Sequence, residues 1–128
     1  MKKINTFLFL ISLLTLALYS QNTQAQTDKY LPFAQVMPEP VGGLQAIYSK
    51  ITYPEMARKA GVEGKVYVLV YVNQNGGVDN VKVIKGIGAG CDQAAIRGVE
   101  KTKFTAGKND GKPVNVKLSL AIVFKLSA

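Results

Sequence analysis

Histidine is absent from this chain of 128 residues, and cysteine occurs once, at Cys91. Without imidazole there is no His-based metal site and no His-dependent triad or dyad. One thiol makes neither a thiolate cluster nor an internal disulfide, so even an oxidising compartment adds no covalent staple and stability rests on the core. Beyond the N-terminal stretch the serines are Ser49, Ser119 and Ser127, none in a G-x-S-x-G setting. The eight acidic residues are dispersed over turns and helix ends, with no pair placed for acid–base work. Gly86-Ile87-Gly88-Ala89-Gly90 resembles a phosphate loop superficially but lacks its lysine and its spacing, and reads as a strand-to-helix connection. The chain is therefore expected to be no enzyme and to hold no cofactor or metal. Cys91 is expected to be a small buried packing residue, with intermolecular pairing as the alternative.

A long apolar run is also missing. A membrane-spanning helix needs roughly 20 predominantly apolar residues, whereas Phe7 to Leu18 is shorter and is interrupted by Ser12 and Thr15. With Met1-Lys2-Lys3 before it and Thr23-Gln24-Ala25 after it, the stretch reads as a cleaved secretory signal over residues 1–25. An uncleaved inner-membrane anchor is the alternative. The apolar run is followed by no lipoprotein cysteine. The formal charge of +8 falls to +6 when Lys2 and Lys3 are lost with the signal. Export and the scatter of lysines argue against a nucleic-acid partner and for a solvated basic surface or anionic envelope partners.

Residues 26–41, with Pro32, Pro38 and Pro40, read as a short linker, and 42–128 as one domain. Leu44, Ile47, Tyr48 and Ile51 form a helical stripe. A second short helix starts at Pro54, has Met56, Ala57 and Ala60 as its apolar face, and ends at Gly61. From Lys65 the period becomes two: Val66, Val68, Val70 and Val72 face one way, and Lys65, Tyr67, Leu69 and Tyr71 the other. Asn73-Gln74-Asn75-Gly76-Gly77 turns the chain into a second strand, Val78–Lys85. Residues 92–102 read as a helix with Asp92 at its N-terminus, and Ala106–Pro113 as a turn region. The last strand alternates from Val114 to Leu126, longer than the usual five or six residues. Part of its backbone is expected to lack a partner within the domain, and an unpaired edge is either protected or used. The order predicts an α+β fold, a three-stranded antiparallel sheet with helices packed on one face.

Taken in order, several motifs over residues 53–126 resemble the TonB C-terminal domain family. Tyr53-Pro54-Glu55-Met56-Ala57-Arg58-Lys59-Ala60-Gly61-Val62-Glu63-Gly64 is similar to its "YPxxARxxGxxG" opening. Asn75-Gly76-Gly77-Val78, Val81-Lys82-Val83, Asp92-Gln93-Ala94-Ala95, Lys103-Phe104, Gly111-Lys112-Pro113-Val114 and Phe124-Lys125-Leu126 follow at family spacing. Upstream, Met37-Pro38-Glu39-Pro40-Val41-Gly42-Gly43 resembles a lead-in found in some members.

The resemblance implies a periplasmic module that takes the TonB box, a short peptide of outer-membrane receptors, by adding it to a sheet edge. It also implies coupling to inner-membrane, proton-driven motor proteins. The expected peptide-binding residues are Tyr53, Arg58 and the strand Val116, Lys117, Leu118, Ser119, Leu120, Ala121, Ile122, Val123 and Phe124. A free edge also suits pairing with a second copy as a homodimer or with other envelope material, an envelope self-association or interaction role without energy transduction. The expected location is the periplasm, or the periplasmic side of the inner membrane if the anchor is kept. Two departures bear on transduction. The 16 residues 26–41 reach about 55 Å at most, at roughly 3.3–3.6 Å each, where a full transducer has a long Pro-rich linker. Lys103-Phe104-Thr105-Ala106 has neither the Trp nor the Pro of the family's aromatic stretch.

Overall fold

The alternating valines of the first strand set the architecture. A computed structural model describes residues 29–127; the apolar segment read as an export signal, with the boundary at residue 25, lies outside the described residues. Strand β1 (Gly64–Val72) places Val66, Val68, Val70 and Val72 on one face, each with no exposed surface. Burying a valine contributes about 1.5–3 kcal/mol relative to leaving it in water, so this row fixes which face is the core. Strand β2 (Val78–Lys85) and the last strand, here β5 (Val116–Phe124), flank β1 in the order β2-β1-β5, both antiparallel to it.

Helices cover the valine face. Helices α1 (Leu44–Tyr48) and α2 (Glu55–Ala60) precede the sheet, and α3 (Cys91–Glu100) crosses it between β2 and β5. Cys91, Ala94, Ala95 and Val99 of α3 join Ile47, Ala57, Ile122 and Phe124 in one core. Small residues let α3 approach the chain around α1: a Cβ at Gly98 would lie 2.3 Å from Ile51 Cγ1. Gly61 ends α2 in the left-handed conformation at φ 67°, the position for which glycine is favoured.

Several local expectations change. The helix expected over 92–102 spans Cys91–Glu100, and Asp92 does not cap it. The Asp92 carboxylate instead accepts the amides of Ile87 (2.9 Å) and Gly88 (3.3 Å), closing the glycine-rich loop. Met56 and Ala60 are exposed, leaving Ala57 as the buried contact of α2. The strand expected to run unbroken from Val114 to Leu126 is divided at Asn115. Before Asn115, β3 (Gly107–Asn109) and β4 (Lys112–Val114) form a small hairpin within the expected turn region. Its two-residue loop, Asp110 (φ 50°) and Gly111 (φ 75°), has positive φ at both positions, the geometry that matches strand twist. Asn115 is held out of both ladders, its side-chain oxygen accepting Gln74 N (3.0 Å) and its carbonyl accepting Leu31 N (2.9 Å).

The stretch expected as linker lies against the domain from Lys29 onward. Leu31 bridges Val116, Val36 bridges Lys108 and Pro40 bridges Phe104. Prolines at 32, 38 and 40 lack an N–H, so the lead-in touches the domain through single bridges instead of a continuous strand.

Candidate strand-binding edge

Strand β5 meets β1 through an unbroken register from Gly64↔Phe124 to Val72↔Val116. With no bulge, the direction of every main-chain group follows from parity, since successive residues point their N–H and C=O alternately to either side. Lys117 N donates outward to Leu31 O (2.9 Å), and Val123 N donates outward to the Tyr48 hydroxyl (3.0 Å). The odd-numbered residues between them therefore also face away from β1. The amides of Ser119 and Ala121, and the carbonyls of Lys117, Ser119 and Ala121, have no partner among the described residues.

The side chains of β5 divide by face. Val116, Ile122 and Phe124 are core residues at 0%, 0% and 3% exposure, so a partner meets their strand and not their side chains. Leu118 and Leu120 are half-buried at the margin of the core. Lys117, Ser119, Ala121 and Val123 lie on the open face of the sheet, with Ser119 and Val123 exposed. There Lys117 stands opposite Tyr71 and Val123 opposite Lys65. Among the described residues the one ion pair, Glu55–Lys59 (3.4 Å), sits apart on α2, so Lys117 and Lys65 make none.

Tyr53 and Arg58 come to the C-terminal end of this edge. The Tyr53 ring packs edge-on against Phe124, with centroids 5.5 Å apart and planes at 80°. Its hydroxyl donates to the Val62 carbonyl, and burial foremost raises its pKa above the ordinary phenol value. The phenol is thus a neutral strut tying the entry of α2 to the end of β5. Arg58 is exposed, and with Tyr53, Lys125, Leu126 and Ser127 it lines an open cleft of about 470 Å³. Leu126 N donates to the Glu63 carboxylate (2.7 Å), which fixes the chain beyond β5.

Three contributors to the edge were not read from the sequence: the Leu31 main chain, the Tyr48 hydroxyl and the Glu63 carboxylate. Tyr48 belonged to a recognised helical stripe, but nothing local shows that its hydroxyl reaches a strand 75 residues away. At the opposite end of β5, Lys29, Asn73, Gln74, Asn75, Asp79 and Asn115 line a polar recess of about 320 Å³. Tyr30 donates to Asp79 there, while its ring packs edge-on against Tyr71 at 5.0 Å and 85°. Among the described residues no group of three or more His, Cys, Asp or Glu is placed to hold a metal ion. Cys91 is fully buried and its thiol is pushed up by that burial and by the neighbouring Asp92, which keeps it protonated and inert.

Residues 49–126 match the sequence profile of the family described as Gram-negative bacterial TonB protein C-terminal. Among curated proteins, the TonB protein of Vibrio cholerae is 32% identical over 75 residues, covering 58% of this chain and 31% of that protein. The TonB protein of Xanthomonas campestris pv. campestris is 36% identical over 76 residues, covering 59% and 34%. The chain thus spans about a third of the length of these relatives. Among solved structures, the solution structure of the Pseudomonas aeruginosa TonB C-terminal domain superposes with a TM-score of 0.50 at 26% identity, covering 61% of this chain and 80% of that one. The matched segment takes in α2, all three sheet strands and α3, the elements that build the edge, and the chain belongs to the family of Gram-negative bacterial TonB C-terminal domains.

Proposed function

We propose that this chain binds an extended peptide, the TonB box of an outer-membrane receptor, by strand addition along the outer edge of β5 in the periplasm. The observation that carries the reading is the straight outer edge at Ser119 and Ala121, with main-chain donors and acceptors turned away from β1. A peptide laid there continues the sheet, gains main-chain hydrogen bonds from the edge, and meets Leu118 and Leu120 on one face and Lys117 and Val123 on the other. Arg58 and Lys125 at the cleft beyond Phe124 favour an acidic group on that flank of the peptide. Binding of this kind needs no catalytic group. Energy-coupled transport is a further part of the proposal, in which inner-membrane, proton-driven motor proteins act on the domain through its N-terminal side.

Titration of synthetic TonB-box peptides into the 15N-labelled chain tests it. Amide shifts should fall on β5, centred on Ser119 and Ala121, with smaller shifts toward Tyr53 and Arg58. A titration that leaves every β5 amide unmoved, for all peptides tried, sinks the reading. The same edge also suits a second copy of the chain. Light scattering over a concentration series separates the two partners, since self-pairing raises the mean mass without added peptide.

A further inference from the structure

Two of the chain's own groups already sit on the edge of β5. At its N-terminal end Leu31 runs parallel to β5, donating to Asn115 O and accepting from Lys117 N, both at 2.9 Å. At its C-terminal end the Tyr48 hydroxyl accepts from Val123 N at 3.0 Å. Neither group continues along the strand. After Leu31 the next residue in pairing phase would be Phe33, but the chain leaves the edge at Pro32, and Phe33 is 74% exposed. Tyr48 contributes one side-chain oxygen from α1 and no main chain.

We infer that strand addition to β5 is confined to a window between the Leu31 main chain and the Tyr48 hydroxyl, so that the partner is a short extended segment pairing across Ser119 to Ala121. This rests on the strand-addition reading above and adds a length limit to it. A longer partner strand has to displace Leu31, and with it the strap that Tyr30 anchors. That anchor has independent parts: the Tyr30 phenol donates to Asp79, its ring packs against Tyr71, and Lys29 Nζ lies 5.7 Å from the ring centroid. Tyr48 is the weaker limit, because a main-chain carbonyl of the partner can replace a single hydroxyl acceptor at Val123.

Amide exchange on the full 15N-labelled chain, without any ligand, tests the window directly. Lys117 and Val123 should exchange at least about tenfold more slowly than Ser119 and Ala121, since hydrogen-bonded amides are the protected ones. Tyr48→Phe should speed Val123 alone, and Tyr30→Ala should speed Lys117 alone. Tyr30→Phe, which keeps the ring on Tyr71 and drops the bond to Asp79, should fall between. With a synthetic TonB-box peptide, shifts in the unaltered chain should centre on Ser119 and Ala121. In Tyr30→Ala they should extend to Lys117, with binding tightened about two- to tenfold for the hydrogen bond gained.

Equal exchange at all four amides, or an unmoved Lys117 in Tyr30→Ala, overturns the window. If the exchange contrast holds and no peptide moves β5 in any variant, strand addition fails while the two limiting contacts stand. If peptide binding in the unaltered chain already covers Lys117 to Val123, the length limit fails while strand addition stands.

Discussion

Along β5 the register with β1 runs straight from Val116 to Phe124, whereas β2 follows the same central strand with register shifts between Tyr67/Val68 and Tyr71/Val72. Bulges bend a strand and disrupt its ladder, which spoils it as a template for another chain. β2 also carries Asp79, Lys82 and Lys85, and the Val81 amide is satisfied by the Asn80 side-chain oxygen (2.9 Å). β5 carries one charge, Lys117, and its outer edge is limited only at its two ends. The two flanks of β1 thus have opposite designs: β2 discourages pairing along its length, and β5 leaves its middle open.

The largest effect that sharpens this contrast concerns the inner faces. Ile122 of β5 has no exposed surface, so Ile122→Ala should cost about 2–5 kcal/mol in urea unfolding. Val83, the half-buried counterpart on β2, should cost distinctly less when cut to alanine. Equal losses would mean that the two flanks contribute alike to the core.

The outer edges separate next. Ala121→Pro removes an amide that points away from β1, a position where an edge strand tolerates proline. The fold should survive by circular dichroism, while affinity for a TonB-box peptide falls about fivefold or more, for the hydrogen bond lost and the peptide carbonyl left unpaired. Ile84→Asp, at a residue of β2 that is 58% exposed, should change affinity by less than about twofold. Reversed results would transfer the binding edge to β2.

The smallest effect is a pH response of the strap at the start of β5. Asp79 has its pKa lowered from 3.8, first by the hydrogen bond from Tyr30 and then by that from Asn73. Its contribution is therefore complete above pH 3.8 and is lost as pH falls through the lower folded value. Tyr30 is raised from 10.0 to about 12, first by burial and then by the bond to Asp79. Its contribution is complete below pH 10.0 and is lost as pH rises toward about 12. Nuclear Overhauser contacts between the Tyr30 and Tyr71 rings should weaken in both ranges and hold between them. Contacts that persist at both extremes would show the strap to be held by packing alone.

The sequence carried the elements whose cause is local. Val66 to Val72 at a period of two specified a strand and its buried face, and the left-handed glycine at 61 marked the end of α2. The motifs from Tyr53 to Leu126 carried the family, and with it the sheet and its helical cover. Periodicity misread the last strand because alternation at Val114 and Val116 persists across Asn115, although contacts from Gln74 and Leu31 divide the strand there. The lead-in gave no signal of docking, since its bridges to Val116, Lys108 and Phe104 join residues far apart in the chain and depend on main-chain atoms common to all residue types.

By itself, then, the order of residues determined the three strands of the main sheet, the helices beside them and the buried valine face of β1, because those choices depend on neighbours within a few positions. The β3–β4 hairpin and the exposure of Met56 and Ala60 were not among them. Tertiary structure alone decided which stretch of β5 stays open. That depends on where the Leu31 main chain and the Tyr48 hydroxyl come to rest against the strand, and such distant hydrogen bonds leave no periodic mark in the residues that make them.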